Sequence, residues 1–265
     1  MNHANEKHTF TQSTRGALHP PCSGREYWSI RDPILTPFGE DQCRALAENF
    51  PHLGDVGLVV ASPLRRALYT AILAFEPVIA RGVKVVALPE LQETSNAICD
   101  TGSDLLALKQ ELEKKGLLDS VVDLGFLDND WNNKLMNLRA KKGRWAPSSK
   151  AVLARTRAAR QWLKARPEKE IVVITHGGFL HFFTEDWTGS ATSKCTDWSN
   201  TEFRSYQFIE EDGFDKVNAT MVETPESRTK RGIVGPRLSR RQQEELYMKT
   251  MQVWEDHGLQ NPTKM

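Results

Sequence analysis

The sequence lacks three features that would assign it to common protein classes. It has no apolar run of the roughly 20 residues that a membrane-spanning helix needs, and no glycine-rich nucleotide loop follows any candidate strand. Its N-terminus has no apolar stretch of the kind found in signal peptides. The formal net charge of +1 argues against binding to nucleic acid or to a membrane surface.

Cysteine is also scarce, and its spacing is uninformative. The four cysteines are widely scattered, without the paired spacing of a metal site or a disulfide framework: Cys22, Cys43, Cys99 and Cys195. This pattern favours a reduced, cytoplasmic protein. We also expect neither a bound metal nor a cofactor. His176, His181 and Glu185 follow one another at spacings that match no known metal-ligand geometry.

The composition is that of an ordinary globular domain. The chain has 265 residues, of which 39% are hydrophobic and 26% are charged, and this is enough to bury a sizeable core. We expect a single domain over residues 1–265, with residues 100–145 as a cap insertion over the sheet and residues 226–265 as a C-terminal helical tail. The insertion is predicted because a charged helical stretch is followed there by an acidic, aromatic loop and a basic segment.

Short apolar runs alternate with amphipathic stretches, which predicts an α/β fold. Strands are predicted at residues 56–61, 83–88 and 171–174, with a weaker one at 9–12 and a final pair at 202–209 and 219–222. Helices are predicted at residues 36–50, 104–115, 149–165 and 239–257, and another after Ser62. Thr36 and Ser62 are the expected caps of their helices.

Three of the predicted strands lead to residues that can carry chemistry. Arg66 follows the second strand, Glu93 the third, and His176 stands directly after the apolar run at 171–174, before Gly177 and Gly178. Separately, each has an ordinary explanation as a surface cation, a loop acid or a core histidine. Together at strand ends, a cation, a carboxylate and an imidazole predict an anion-binding site that can transfer protons.

Four motifs, in this order, resemble the histidine phosphatase superfamily in its phosphoglycerate mutase-like branch. They are Asp32-Pro33-Ile-Leu35-Thr36-Pro-Phe-Gly39, Ser62-Pro63-Leu-Arg-Arg66-Ala-Leu-Tyr-Thr70, Leu88-Pro-Glu-Leu91-Gln-Glu93 and Thr175-His176-Gly177-Gly178. The resemblance implies a three-layer α/β/α sandwich with a mostly parallel central sheet. It also implies that Arg66 binds a phosphoryl group, that His176 stabilises its charge and that Glu93 transfers protons, while Trp131 in the insertion shapes the substrate entrance.

The chain departs from this family at its defining element. The family's first strand should end in an Arg-His pair, whose histidine is the nucleophile, and no Arg-His dipeptide occurs in this chain. A gap-free alignment places Ser13 and Thr14 at these two positions and His19 on a second histidine that is common in the branch. A gapped alternative uses Arg15 and Gly16 as the motif's arginine and glycine, and it also lacks the histidine. Ser13, Thr14, Arg15 and His19 are therefore predicted substrate-binding residues.

A missing nucleophile costs on the order of a million-fold in turnover, which argues against phosphohistidine chemistry. We therefore expect an acid–base enzyme of lyase, isomerase or cyclase type. Its substrate would be a small molecule with a carboxylate, a phosphate or an enolisable carbonyl. Analogy with related family members suggests a role in specialised metabolism. Two alternatives stay open. One is a phosphatase that acts on a small phosphate ester with a non-standard nucleophile, and the other is a pseudophosphatase that binds a phosphorylated ligand or protein without turnover.

Overall fold

A central seven-stranded sheet organises the protein in the computed structural model, which describes residues 8–13, 29–133, 143–192, 196, 198–210 and 212–265. The strand order is β4-β3-β2-β5-β1-β6-β7. Strands β1 to β5 are mutually parallel, whereas β6 runs antiparallel to both of its neighbours, β1 and β7. The strands are β1 (His8–Ser13), β2 (Val56–Ala61), β3 (Val85–Ala87), β4 (Val122–Asp123), β5 (Glu170–Thr175), β6 (Phe203–Phe208) and β7 (Met221–Glu223).

Helices follow most of the strands, as the alternating sequence pattern predicts. They are α1 (Pro37–Asn49), α2 (Arg65–Ala74), α3 (Glu76–Ile79), α4 (Leu105–Lys114), α5 (Ser149–Lys164), α6 (Gly177–Thr184), α7 (Gly213–Asn218), α8 (Pro225–Lys230) and α9 (Arg240–Asp256). Short 3-10 turns lie at Pro89–Leu91, Ile98–Asp100, Ser190–Thr192 and Pro262–Lys264. Thr36 caps α1, because its hydroxyl accepts a hydrogen bond from the Gly39 N–H.

Strand β5 separates two layers of hydrophobic core, because successive side chains of a strand point to opposite faces. Val172 and Ile174 pack with α1, α2 and α4 on one face of the sheet. Ile171 and Val173 pack with α5 and α6 on the other face. The fold is therefore the three-layer α/β/α sandwich that the resemblance implies.

The prediction of a cap insertion at residues 100–145 is wrong for the part of that segment that the structure describes. Leu108 and Leu112 of α4 are buried in the same core as α1 and α2. Val122 of β4 pairs with Val85 of β3, so β4 extends the central sheet. The apolar face of α4 thus belongs to the sandwich, while residues 134–142 lie outside the described residues.

The predicted C-terminal tail is helical and packs on the domain. Met251 and Trp254 of α9 are buried against Phe182 of α6 and Trp187, in a small third core. A capping box formed by Ser239 and Gln242 begins the helix. None of the helices that the structure describes combines the length and apolar character needed to span a membrane.

Candidate active site

The carboxyl ends of β1, β2 and β5 lie side by side at one edge of the sheet. Ala61 of β2 pairs with Ile174, and Ser13, the last residue of β1, pairs with Thr175. The Ser62 N–H also donates to the Ile174 carbonyl at 2.8 Å. Residues that follow these strands are therefore brought together, as expected for a ligand crevice of an α/β sheet.

Ser62 and His176 form a hydrogen-bonded pair at this edge. The distance from Ser62 Oγ to His176 Nε2 is 2.8 Å, and both residues are fully buried. The prediction that Ser62 caps α2 is wrong, because the N-cap residue is Leu64 and no side chain caps this helix. Ser62 Oγ instead accepts from the Leu64 N–H at 3.3 Å and faces the imidazole. A hydroxyl hydrogen-bonded to an imidazole is the pairing from which a nucleophile and its general base are built.

Arg66 lies in the first turn of α2 and is 3% exposed. Its Nη2 donates to Asp100 Oδ1 at 2.8 Å, and its Nη1 donates to the Cys99 carbonyl at the same distance. The guanidinium therefore already has a buried carboxylate as its partner. An anionic ligand at Arg66 has to share this cation with Asp100 or displace the carboxylate from it.

Glu93 is anchored on the first turn of α6. Its Oε1 accepts from the Phe179 N–H at 2.9 Å and from the Thr94 N–H at 2.8 Å, and its Oε2 accepts from the Gly178 N–H at 3.3 Å. This approach explains Gly178, since a Cβ there would lie 2.7 Å from Glu93 Oε1. The second glycine of the His-Gly-Gly motif thus makes room for the carboxylate.

Arg155 of α5 holds the loop that carries Glu93. Its guanidinium donates to the carbonyls of Glu90, Gln92 and Glu93 at 2.9 to 3.3 Å. Burial lowers the pKa of Arg155 to about 10, although the Glu93 carboxylate opposes this effect. Thr175 Oγ1 adds a 2.6 Å hydrogen bond to the Leu91 carbonyl. The position of Glu93 is therefore fixed by β5, α5 and α6 together.

Asp32 supports the other side of the site. Its Oδ1 accepts from the Arg65 N–H at 2.9 Å and its Oδ2 from the Ser103 N–H at 2.8 Å. Burial raises the pKa of Asp32, and these hydrogen bonds and the charge of Arg66 oppose the rise. The side chain thereby joins the first turn of α2 to the segment that follows Asp100.

The predicted site residues fall into three groups. Arg66, Glu93 and His176 all lie at this edge of the sheet, each held by contacts within the protein. Ser13 is described through its backbone pairing alone, and three further predicted residues lie outside the described residues: Thr14, Arg15 and His19.

The expectation that Trp131 shapes the entrance is wrong. Trp131 is fully buried, belongs to the large core and packs on Gly102, where a Cβ would overlap the indole ring. A side chain buried in this way fills space between α4 and the sheet and does not face a substrate.

Three residues of the site were not identified from the sequence. Ser62 was interpreted as a helix cap, and Asp100 was placed in an insertion. Arg155 had a usable signal, because it stands in α5 at a helical spacing from Val152 and Ala159, which mark the face that packs on the core. An arginine on such a face needs buried acceptors, and the carbonyls of the Glu93 loop supply them.

Within the described ranges, no group of three or more histidine, cysteine, aspartate or glutamate side chains could hold a metal ion. The described side chains at this edge supply a hydroxyl, an imidazole, a carboxylate and a guanidinium.

Residues 19–115 and 126–219 match the family described as the histidine phosphatase superfamily (branch 1). Strand β1 and positions 13 and 14 lie before the matched region. No curated protein sequence matches the chain.

Several solved structures are similar to the chain at low identity. A mycobacterial glucosyl-3-phosphoglycerate phosphatase has 16% identity over 83% of this chain and 97% of its own, with a TM-score of 0.42. A phosphoserine phosphatase mutant from Entamoeba histolytica has 17% identity over 83% of this chain and 95% of its own, with a TM-score of 0.42. An ecdysone phosphate phosphatase from Bombix mori has 15% identity over 89% of this chain and 95% of its own, with a TM-score of 0.47. Likeness at this level identifies no substrate.

Proposed function

We propose that this chain, which belongs to the histidine phosphatase superfamily (branch 1), hydrolyses a small phosphate ester with Ser62 as the nucleophile. The observation that carries the proposal is the 2.8 Å hydrogen bond between Ser62 Oγ and His176 Nε2. It supplies a nucleophile with an adjacent base in a chain that lacks the family's Arg-His pair.

The proposed step transfers one phosphoryl group and one proton. Ser62 Oγ attacks the phosphorus atom while its proton passes to His176 Nε2, which requires that the neutral imidazole carries its own proton on Nδ1. The bond between phosphorus and the ester oxygen breaks, and the leaving oxygen takes the proton from His176. Water then attacks the phosphoserine, which releases inorganic phosphate and restores the Ser62 hydroxyl.

Arg66 and the first turn of α2 are the proposed phosphate-binding elements. A helix N-terminus and a guanidinium both favour an anion, and Ser62 stands two residues before the N-cap of this helix. Asp100 competes with the ligand for Arg66, so we expect weak phosphate binding in the native chain. Ser13, Thr14, Arg15 and His19 stay predicted ligand contacts, and a cytoplasmic role in specialised metabolism stays a prediction from the sequence.

The acid–base reaction favoured from the sequence ranks below hydrolysis. It uses Glu93 or His176 as the acid or base. The Glu93 carboxylate is held by three backbone N–H groups, and the Ser62 hydroxyl on His176 has no role in such a reaction, whereas hydrolysis uses it as the nucleophile. The described residues add no feature specific to elimination, isomerisation or cyclisation. The pseudophosphatase alternative differs from our proposal in one measurable respect, which is turnover.

Hydrolysis of 4-nitrophenyl phosphate by the native chain, Ser62→Ala and His176→Ala tests the proposal. We expect native turnover, and a loss of at least about a thousandfold in each variant, because a nucleophile and its base act as a unit. Mass spectrometry of the chain quenched during turnover should find phosphate on the peptide that contains Ser62.

Two controls separate the alternatives. Ser190→Ala removes another fully buried hydroxyl. Ser190 is hydrogen-bonded to the Thr250 hydroxyl and not to a residue of the candidate active site, so this variant should keep the native turnover. Thr14→Ala tests the residue that the gap-free alignment places at the nucleophile position. If Thr14→Ala abolishes turnover and Ser62→Ala does not, the nucleophile is misassigned. If the native chain binds phosphate without turnover, while Ser13→Arg with Thr14→His gains activity, the protein is a pseudophosphatase.

A further inference from the structure

A cavity of about 720 Å³ lies outside the candidate active site. One wall is formed by α5 and the end of α6, with Leu153 and Phe182. A second wall is formed by β6, β7 and α7, with Tyr206 and Phe214, and a third by the segment before α9, with Leu238. Ser62, Arg66, Glu93 and His176 do not line it. Its volume is that of a typical small-molecule site, for which roughly 300–1,000 Å³ is usual.

Tyr206 lines this cavity and carries a buried hydroxyl. The residue is 1% exposed, and its hydroxyl has no hydrogen-bond partner in the part of the chain that the structure describes. Burial raises the pKa of Tyr206, so the hydroxyl stays protonated at neutral pH and can donate. Thr220 also lines the cavity, and its buried hydroxyl is likewise without a partner among the described residues. Buried polar groups in folded proteins are nearly always hydrogen-bonded, so these two indicate a missing partner.

Three aromatic rings form part of the apolar lining. Phe182, Trp187 and Tyr247 pack edge to face or tilted against one another, with ring centroids 4.9 to 5.7 Å apart. Leu153 and Phe214 are 45% and 43% exposed, although large apolar side chains are usually more buried. A ligand in the cavity would cover apolar surface that the chain itself leaves in contact with water.

The charges around the cavity largely cancel. Arg160 pairs with Glu185 at 3.0 Å, and Arg240 lies 3.5 Å from Asp212 and 3.7 Å from Asp215. The lining contains five arginines and six acidic residues. It therefore offers no strong field of one sign to attract a charged ligand.

We propose that this cavity is a binding site for an uncharged, largely apolar small molecule with a carbonyl or similar oxygen that accepts a hydrogen bond from Tyr206. The rings and aliphatic side chains supply most of the buried area, and the phenol orients the ligand. This site is independent of the proposed hydrolysis, because no residue is shared between the two.

Nile red, an uncharged apolar dye with a carbonyl group, is a suitable probe, since its fluorescence rises in an apolar site. We expect saturable binding of one dye per native chain. Leu153→Glu should weaken binding at least tenfold, because it places a charge in the cavity wall. Leu106→Glu is the matched control, since Leu106 is also an exposed helical leucine, at 68% exposure, and does not line the cavity.

Tyr206→Phe removes only the donor and should weaken binding about fivefold to tenfold, which corresponds to one hydrogen bond. If Leu153→Glu unfolds, Leu238→Glu, in the segment before α9, places the same charge in another wall of the cavity. Absence of saturable binding, equal binding by Leu153→Glu and Leu106→Glu, or an unchanged affinity in Tyr206→Phe would each overturn the proposal. Tighter binding of the anionic dye anilinonaphthalene sulfonate than of Nile red would overturn the assignment of an uncharged ligand.

Discussion

Replacing Asp100 with asparagine should raise the affinity of the site for phosphate. In the native chain the Asp100 carboxylate accepts a hydrogen bond from Arg66 Nη2 at 2.8 Å. The Asp100 side chain is 10% exposed and the Arg66 side chain is 3% exposed. Two unit charges about 4 Å apart attract each other by about 4 kcal/mol at an effective dielectric constant of 20. A phosphate oxygen that binds the Arg66 guanidinium must replace this interaction, and it then lies near the negative charge of the Asp100 carboxylate. Asparagine keeps the shape and an acceptor oxygen but removes the charge.

The net gain is smaller than the full Coulomb energy, because the bound phosphate must still lose water. Hydrogen bonds to charged groups contribute about 1.5–3 kcal/mol, so we expect a gain of about 2 kcal/mol, or roughly thirtyfold in the dissociation constant. Without phosphate, Asp100→Asn should be less stable, because the buried Arg66 guanidinium loses the negative charge of Asp100. A loss of about 2 kcal/mol lowers the midpoint of thermal unfolding by about 4–8 °C in a domain of this size.

Phosphate should reverse this loss. At a concentration of 100 times the dissociation constant, a ligand adds about 2.7 kcal/mol to the stability of the folded state. Thermal unfolding followed over a series of phosphate concentrations measures both effects, and calorimetric titration gives the affinity. Asp104→Asn is the matched control, since the Asp104 side chain is 76% exposed and pairs with Arg31 at the surface. Equal or weaker phosphate binding by Asp100→Asn would show that Asp100 does not compete with a ligand for Arg66.

Two further predictions concern single contacts. Gly178→Ala should lower stability by about 1–3 kcal/mol, because the new Cβ would lie 2.7 Å from Glu93 Oε1. Urea unfolding measures this, and Gly54→Ala, with open space around the new Cβ, should change little. Burial raises the pKa of Glu111, but the Tyr69 hydroxyl and nearby cations lower it overall, so Glu111 stabilises the fold above its unfolded pKa of about 4.5. Tyr69→Phe should therefore lower the free energy of unfolding by about 1 kcal/mol at pH 7, and this difference should shrink as the pH falls through the folded pKa of Glu111. A constant difference down to pH 2 would show that the Tyr69 hydroxyl does not stabilise the Glu111 carboxylate.

The sequence predicts the fold well where the signal is local. The apolar run at residues 171–174 predicts a buried strand, and it forms β5 at the centre of the sheet. The weak prediction at 9–12 is confirmed as β1, which pairs on both sides. The strand predicted at 83–88 is shorter, Val85–Ala87, and the Pro89–Leu91 turn begins directly after Leu88. The order of the four family motifs then implies the three layers of the α/β/α sandwich.

The contacts of the site could not be predicted in the same way. Ser62 and His176 are 114 residues apart in the chain, and Arg66 and Asp100 are 34 apart. Local periodicity indicates which face of an element is buried, but it does not indicate which polar group from another element meets that face. The composition of residues 100–145 predicts an insertion that begins at Asp100, and nothing near Asp100 in the sequence indicates that its partner lies on α2. These pairings follow from the assembly of the sheet, not from the residues beside them.

The presence of Arg66, Glu93 and His176 in a chain without the family's nucleophile is therefore not in itself evidence of a reaction. Each has a structural contact in this fold, to Asp100, to the start of α6 and to Ser62 respectively. Removing any of them should cost stability as well as activity, so loss of activity alone does not identify a catalytic group. Ser62→Ala is more informative, because alanine fits the space of serine and removes only the two hydrogen bonds of Ser62 Oγ, with His176 and with the Leu64 N–H, which together contribute about 1–3 kcal/mol. A large loss of turnover with so small a loss of stability would separate a chemical role for the Ser62–His176 pair from a structural one.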